Sequence, residues 1–167
     1  MNNQHLTSIV IRQLSTVIRT TSRTSHISIK LSVVESKPQK IYLYWANTQD
    51  CFEELQNQLG EFRLSSFMRL QVLKKIQSSA LGLLRWRKDF KPLVAYQSEG
   101  LWELRFSFIQ DDQEIKLRLI CASLDTENSV ALCWHVKQNS LSPTEQRHFQ
   151  NLDCERAIKR KKRLSID

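Results

Sequence analysis

Three consecutive stretches of this chain alternate apolar and polar residues with period two, separated by short runs rich in Asp and Asn. In the first, Trp102, Leu104, Phe106 and Phe108 alternate with Glu103, Arg105 and Ser107. In the second, Ile115, Leu117, Leu119 and Cys121 alternate with Lys116, Arg118 and Ile120. In the third, Val130, Leu132, Trp134 and Val136 alternate with Ala131, Cys133, His135 and Lys137. Successive side chains of a strand leave on opposite faces, so each stretch predicts a strand with one buried face. Asp111-Asp112 and the run from Asp125 to Asn128 suit tight bends between them. A three-stranded meander is therefore the element around which the rest of the chain must pack.

The flanking sequence supplies helices and one more strand. Lys40 to Ala46 (KIYLYWA) is rich in β-formers. Asp50 then suits the cap of a short helix with Phe52, Leu55 and Leu59 inward, closed by Gly60. Ser65 or Ser66 opens a longer helix, with Leu73, Ile76, Ala80 and Leu84 as its buried stripe. A basic connector with two aromatics, Trp86 and Phe90, runs from Arg85 to Pro92; core packing is the expected place for both rings. Ser142-Pro143-Thr144-Glu145 combines a cap, a first-turn proline and a capping-box glutamate, predicting a last helix to about Arg160. This order reads as an α+β fold: a small antiparallel sheet packed against N-terminal helices, with a C-terminal helix.

At 167 residues the chain fits one core, expected over residues 27–167, with Ile27 to Val34 as a possible added strand. Residues 1–34 contain no Asp or Glu. That composition imitates a transit peptide, and for residues 1–26 the competing expectation is a disordered basic arm or a start codon placed too early. Four widely spaced cysteines with no CxxC pair offer no zinc framework. With no secretory signal pattern, a reducing cytoplasm is expected. No apolar run approaches the roughly 20 residues of a membrane helix. The net charge of +8 favours polyanionic partners, although an acidic protein or an anionic membrane surface would satisfy the same charge.

Period two also bears on chemistry. His135 and Lys137 project together, and Arg105 and Arg118 stand at polar positions of their own strands, so a meander could bring all four to one face. Chemistry on a phosphate ester would need a proton acceptor, a proton donor and stabilisation of charge on the phosphate. Arg suits the last task. His135, or a Lys137 crowded by arginines, suits the proton transfers. The plain alternative is that these are the ordinary polar residues of an open sheet face.

The run Gly100-Leu101-Trp102-Glu103-Leu104-Arg105-Phe106, followed by Arg118, and by Lys137 ahead of Ser142-Pro143, resembles the HigB/RelE superfamily of bacterial toxins, in its phage-derived HigB-like branch. The resemblance spans about residues 41 to 163, with motif-grade matches in residues 100 to 160. It implies a RelE-like fold and a type II toxin. Such a toxin is a metal-independent endoribonuclease, without a small-molecule cofactor, that cuts mRNA on the ribosome and is masked by a helix-turn-helix, HigA-like antitoxin. It also implies that Arg105, Arg118 and Lys137 form the active site; His135 joins them as a candidate from the strand geometry alone, since an aromatic or aliphatic residue often occupies its place in the family. Glu103 would orient Arg105 by an ion pair. Arg85, Arg87, Lys88 and Lys91, together with Arg160, Lys161 and Lys162, would hold RNA backbone; the plain reading of each run is a solvated face or helix end. Gln138 stands where the branch usually has a second basic residue, and no Tyr follows Lys137. These departures keep open a non-catalytic RNA- or DNA-binding module, or a degenerate toxin that only binds its antitoxin.

Overall fold

The computed structural model describes residues 40–164; the expectations for residues 1–26 and for a strand at 27–34 lie outside them. The described chain is α+β. Strand β1 (Lys40–Leu43) is followed by helices α1 (Thr48–Leu59) and α2 (Ser66–Ala80) and by the short strand β2 (Phe90–Pro92). A 3-10 segment (Val94–Glu99), strands β3 (Leu101–Gln110), β4 (Gln113–Ser123) and β5 (Asn128–Lys137), and helix α3 (Pro143–Arg163) complete it. The five strands form one sheet in the order β1-β5-β4-β3-β2.

The meander forms as expected. Asp111 and Asp112 both adopt positive φ, 50° and 60°, and close β3 onto β4 with Gln110 facing Gln113. Two consecutive left-handed residues match the right-handed twist of a hairpin, and Asp tolerates that conformation. Beyond Ser123, the Asp125 carboxylate accepts from the backbone N–H groups of Glu127 and Asn128 and fixes the second turn.

Four expectations change. β1 pairs parallel to β5, so the sheet is mixed rather than wholly antiparallel; the two helices between them carry the chain back across the sheet. The cap of α1 is Asn47, whose side chain accepts from the N–H of Asp50. The buried stripe of α2 is Met68, Val72, Ile76 and Ser79, rotated from the expected one, and Leu84 is buried beyond the end of the helix. Part of the basic connector is strand β2, which adds to the sheet edge beside β3.

A further departure lies in β5. Ile120 faces Cys133 while Cys121 faces Ala131, so Leu132 is an extra residue, a β-bulge that shifts the alternation by one. Ala131, Trp134 and the partly buried Val136 join the core against α1 and α2, with Leu104, Leu117 and Leu119. Val130, Leu132 and Cys133 instead join Leu101, Ile120 and Ala122 beneath Cys154 and Ala157 of α3. The sheet is thus covered on both faces, and α3 shields one end of the second. Arg160 secures this arrangement: its guanidinium donates to the carbonyl of Leu132 at 2.6 Å and to Glu54 of α1 at 3.0 Å. It also lies over the rings of Tyr44 and Trp45.

Arg160→Ala leaves a buried carbonyl and a half-buried carboxylate without their cation, so a loss of about 2–4 kcal/mol is expected in urea unfolding. The salt slope of RNA binding should not change. A slope lower by about one with unaltered stability would show instead a phosphate contact.

Candidate functional site

The hydrogen-bond register determines what stands together on the α3 face of the sheet. Arg105 faces Arg118 and Arg118 faces His135, giving one row across three strands. Lys116 faces Lys137 in the row on one side. Lys91 faces Glu103, and Glu103 faces Ile120, in the row on the other. Directly opposed residues share a face, so all four expected catalytic side chains are brought to one surface. Together with Lys91 and Glu103 they line a cleft of about 500 Å³ whose far wall includes Gln146, Arg147 and Gln150 of α3. Five cationic side chains and one carboxylate line it.

Glu103 is the buried anchor of this cleft. Its Oε1 lies 3.3 Å from Arg105 Nε and 3.4 Å from Arg118 Nε, and its Oε2 accepts from Gln150 at 3.1 Å. The Arg105 contact is an ion pair without hydrogen-bond alignment, because that Nε–H has no acceptor. The expected Glu103–Arg105 pair therefore forms, and Arg118 shares it. Burial, only partly opposed by Glu103 and reinforced by the neighbouring charge of Arg105, lowers the Arg118 pKa from its ordinary value; arginine nonetheless stays charged. Two cations held beside one carboxylate leave an excess of positive charge in a partly desolvated wall, where an anion is attracted more strongly than at an open surface.

His135 is buried, and its Nδ1 lies 2.9 Å from Asp153 Oδ2 on α3. The other carboxylate oxygen of Asp153 is 3.2 Å from the Arg156 guanidinium. Neither Asp153 nor Gln150 figured in the sequence reading. The signal was present: Gln146, Gln150, Asp153 and Ala157 recur at i, i+4, i+7 and i+11, a single helix face, but three polar residues obscured it as an inward one.

The expected RNA-binding residues divide. Lys91 lines the cleft. Arg85 and Lys88 line an adjoining hollow of about 420 Å³ that shares Arg105 and Arg118 with it and adds Lys75 and Lys116. Arg87, at φ 61°, accepts on its carbonyl from the Arg105 guanidinium at 2.6 Å, so the connector helps to hold Arg105. Arg160 is not brought to the cleft; its guanidinium is engaged by Glu54 and Leu132. Lys161 donates to the carbonyl of Glu99 at 3.1 Å, and Lys162 is exposed. Phe90 packs against the core as expected, but Trp86 is 49% exposed and meets Phe90 edge-on.

All four cysteines are buried and free. Burial pushes the thiols of Cys51 and Cys154 up to about 12 and raises those of Cys121 and Cys133 as well, so none is a ready nucleophile. Among the described residues, no group of His, Cys, Asp and Glu is placed to hold a metal ion, and no helix is long and apolar enough to cross a membrane. No protein-family model matches the chain, and neither curated proteins nor solved structures give a match.

Asp89 braces the connector behind Arg105. Its carboxylate pairs with Lys75 at 3.0 Å and Arg85 at 2.8 Å, and its carbonyl accepts from the N–H of Arg105. Burial alone would raise its pKa, but hydrogen bonds from the Arg85 side chain and backbone and from Lys75 outweigh burial and hold it at about 2. A carboxylate whose folded pKa is depressed contributes stability above its unfolded pKa and loses it as pH falls through the folded value. The stability advantage of the parent protein over Asp89→Asn should therefore shrink by about 2 kcal/mol between pH 5 and pH 2. A difference independent of pH in urea titrations would contradict this.

Proposed function

We propose that this protein is an endoribonuclease of the HigB/RelE-like toxin type, cleaving mRNA on the ribosome and held inactive by an antitoxin that covers the basic cleft. One observation carries the reading: Arg105, Arg118 and His135 stand in a single cross-strand row, flanked by Lys137, in a cleft with an excess of cations. The resemblance supports it as well, through Arg105 in the Gly100–Phe106 run and through Arg118 and Lys137, but not through His135.

The reaction that suits this set is attack of a ribose 2′-hydroxyl on the adjacent phosphate. The bond from O2′ to phosphorus forms, the bond from phosphorus to O5′ breaks, and a 2′,3′-cyclic phosphate and a free 5′-hydroxyl result. The 2′-hydroxyl proton must leave and the departing O5′ must gain one; we assign these transfers to His135 and Lys137. Charge grows on the non-bridging oxygens, and Arg118 and Arg105, whose Nε atoms pair with Glu103, are the cations we assign to stabilising it.

A non-catalytic binder on the same scaffold is favoured by one observation: both arginines already direct Nε to Glu103, as a purely structural cluster would. The two readings separate on Arg118→Ala. Loss of a donor to transition-state charge slows turnover by about 100- to 1000-fold, whereas loss of a simple phosphate contact lowers affinity and its salt slope by about one unit. Arg118→Ala should abolish mRNA cleavage and the growth arrest caused by induced expression, with RNA affinity only modestly reduced. Cleavage persisting near the parent rate, or falling in proportion to affinity, would assign Arg118 to binding.

A further inference from the structure

We infer that Asp153 is a positioning residue that holds His135 as the tautomer protonated on Nδ1, keeping Nε2 as the proton acceptor. The inference rests on the nuclease reading for its catalytic consequence, but its structural part stands on geometry alone.

A carboxylate can only accept, so the 2.9 Å contact of His135 Nδ1 with Asp153 Oδ2 requires the proton on Nδ1. The neutral ring then carries its lone pair on Nε2. That nitrogen makes no hydrogen bond to a described residue, and it is not among the polar atoms sealed from solvent without a partner. His135 itself lines the cleft with Arg105, Arg118 and Lys137. The lock is itself held from behind. Asp153 Oδ1 is committed to Arg156 at 3.2 Å, and the Asp153 carbonyl accepts from the buried Cys133 thiol at 3.1 Å. Cys133 is two residues before His135 on the same strand, so helix and strand are tied on both sides of the ring.

The consequence for chemistry is directional. With the proton on Nδ1, Nε2 accepts the 2′-hydroxyl proton, and the resulting imidazolium is stabilised by the Asp153 carboxylate. With the opposite tautomer, Nε2 presents a proton and cannot accept one. The arrangement around Asp153 makes that opposite state accessible by one isosteric change. In Asp153→Asn the amide oxygen is expected to keep the Arg156 contact, which turns the NH2 group towards His135 Nδ1. Nδ1 must then accept, and the proton moves to Nε2.

The test pairs a spectroscopic readout with an activity readout on the full chain. Nitrogen-15 spectra of the imidazole rings, assigned with His135→Gln and read at the alkaline plateau of a pH series, report which ring nitrogen carries the proton. The parent protein should show His135 protonated on Nδ1, and Asp153→Asn should show it protonated on Nε2 with an unchanged thermal midpoint. Cleavage of mRNA in a translating extract should fall by about 1000- to 10,000-fold in Asp153→Asn, by analogy with loss of the orienting carboxylate in a catalytic triad, with RNA affinity within a few-fold of the parent. Asp153→Glu, which retains a carboxylate acceptor, should keep the Nδ1 tautomer and recover part of the rate. A parent ring protonated on Nε2 overturns the inference. So does a tautomer switch that leaves the cleavage rate unchanged. A parent protein that shows the Nδ1 tautomer but never cleaves RNA sinks the nuclease reading while supporting the lock.

Discussion

The extra residue in β5 is the constraint from which the site follows. Without the bulge at Leu132, strict alternation would send Val130, Leu132, Trp134 and Val136 to one side, and the Ala122 end of the second face would lose its apolar partners. With it, Trp134 reaches the core against α1, where its indole N–H donates to the Cys51 carbonyl at 3.0 Å. Val130 and Leu132 are released to the opposite face, where they bed α3. A bulge leaves backbone groups outside the ladder, and a buried carbonyl needs a partner. Arg160 supplies it. The same guanidinium binds Glu54, so one side chain joins α1, β5 and α3 and keeps the helix wall of the cleft against the sheet.

The charge arrangement depends on that closeness. Two arginines side by side on adjacent strands repel one another, and like charges directly opposed destabilise a sheet. Glu103, one row away, offsets the pair from below, and Gln150 of α3 steadies its second oxygen. What remains is a wall whose two arginines are held in place by protein groups. Preorganised charge of this kind needs no reorganisation when a phosphate binds or when its charge rises. On the other side of the row, Asp153 reaches His135 from the same helix that provides Gln150. α3 therefore contributes to both ends of the Arg105–Arg118–His135 row while remaining outside the sheet.

Much of this was legible in the chain. Period two fixed β3 and β4 and placed Arg105 and Arg118 in one phase, and Ser142-Pro143-Thr144-Glu145 forms the capping box expected of it. The convergence of His135 with the two arginines was correctly anticipated, although for a strand whose phase changes midway. The bulge itself was not legible, because Val130 to Val136 alternates well enough to hide a slip between two apolar faces. The parallel pairing of β1 was equally hidden: it depends on how α1 and α2 return the chain, not on any residue of Lys40–Leu43. Arg160 illustrates a different limit. In sequence it belongs to a basic run at a helix end, the usual sign of a solvated face; only the bulge carbonyl and Glu54 give it a structural task. Asn47, the cap that forms, and Asp50, the expected one, are both good cap residues, and only backbone geometry chooses between them.

The central claim is that this cleft acts through a ribose 2′-hydroxyl, and the products of the reaction test it most directly. A message with one cleavage site, and the same message with a single 2′-deoxy substitution at that site, would be incubated with the purified protein in a ribosome-containing extract. The fragment ends would then be identified by mass. The account predicts a 2′,3′-cyclic phosphate and a 5′-hydroxyl from the all-ribose message and no cut at the substituted site. Cleavage of both messages, 5′-phosphate ends, or no cleavage of either would contradict it.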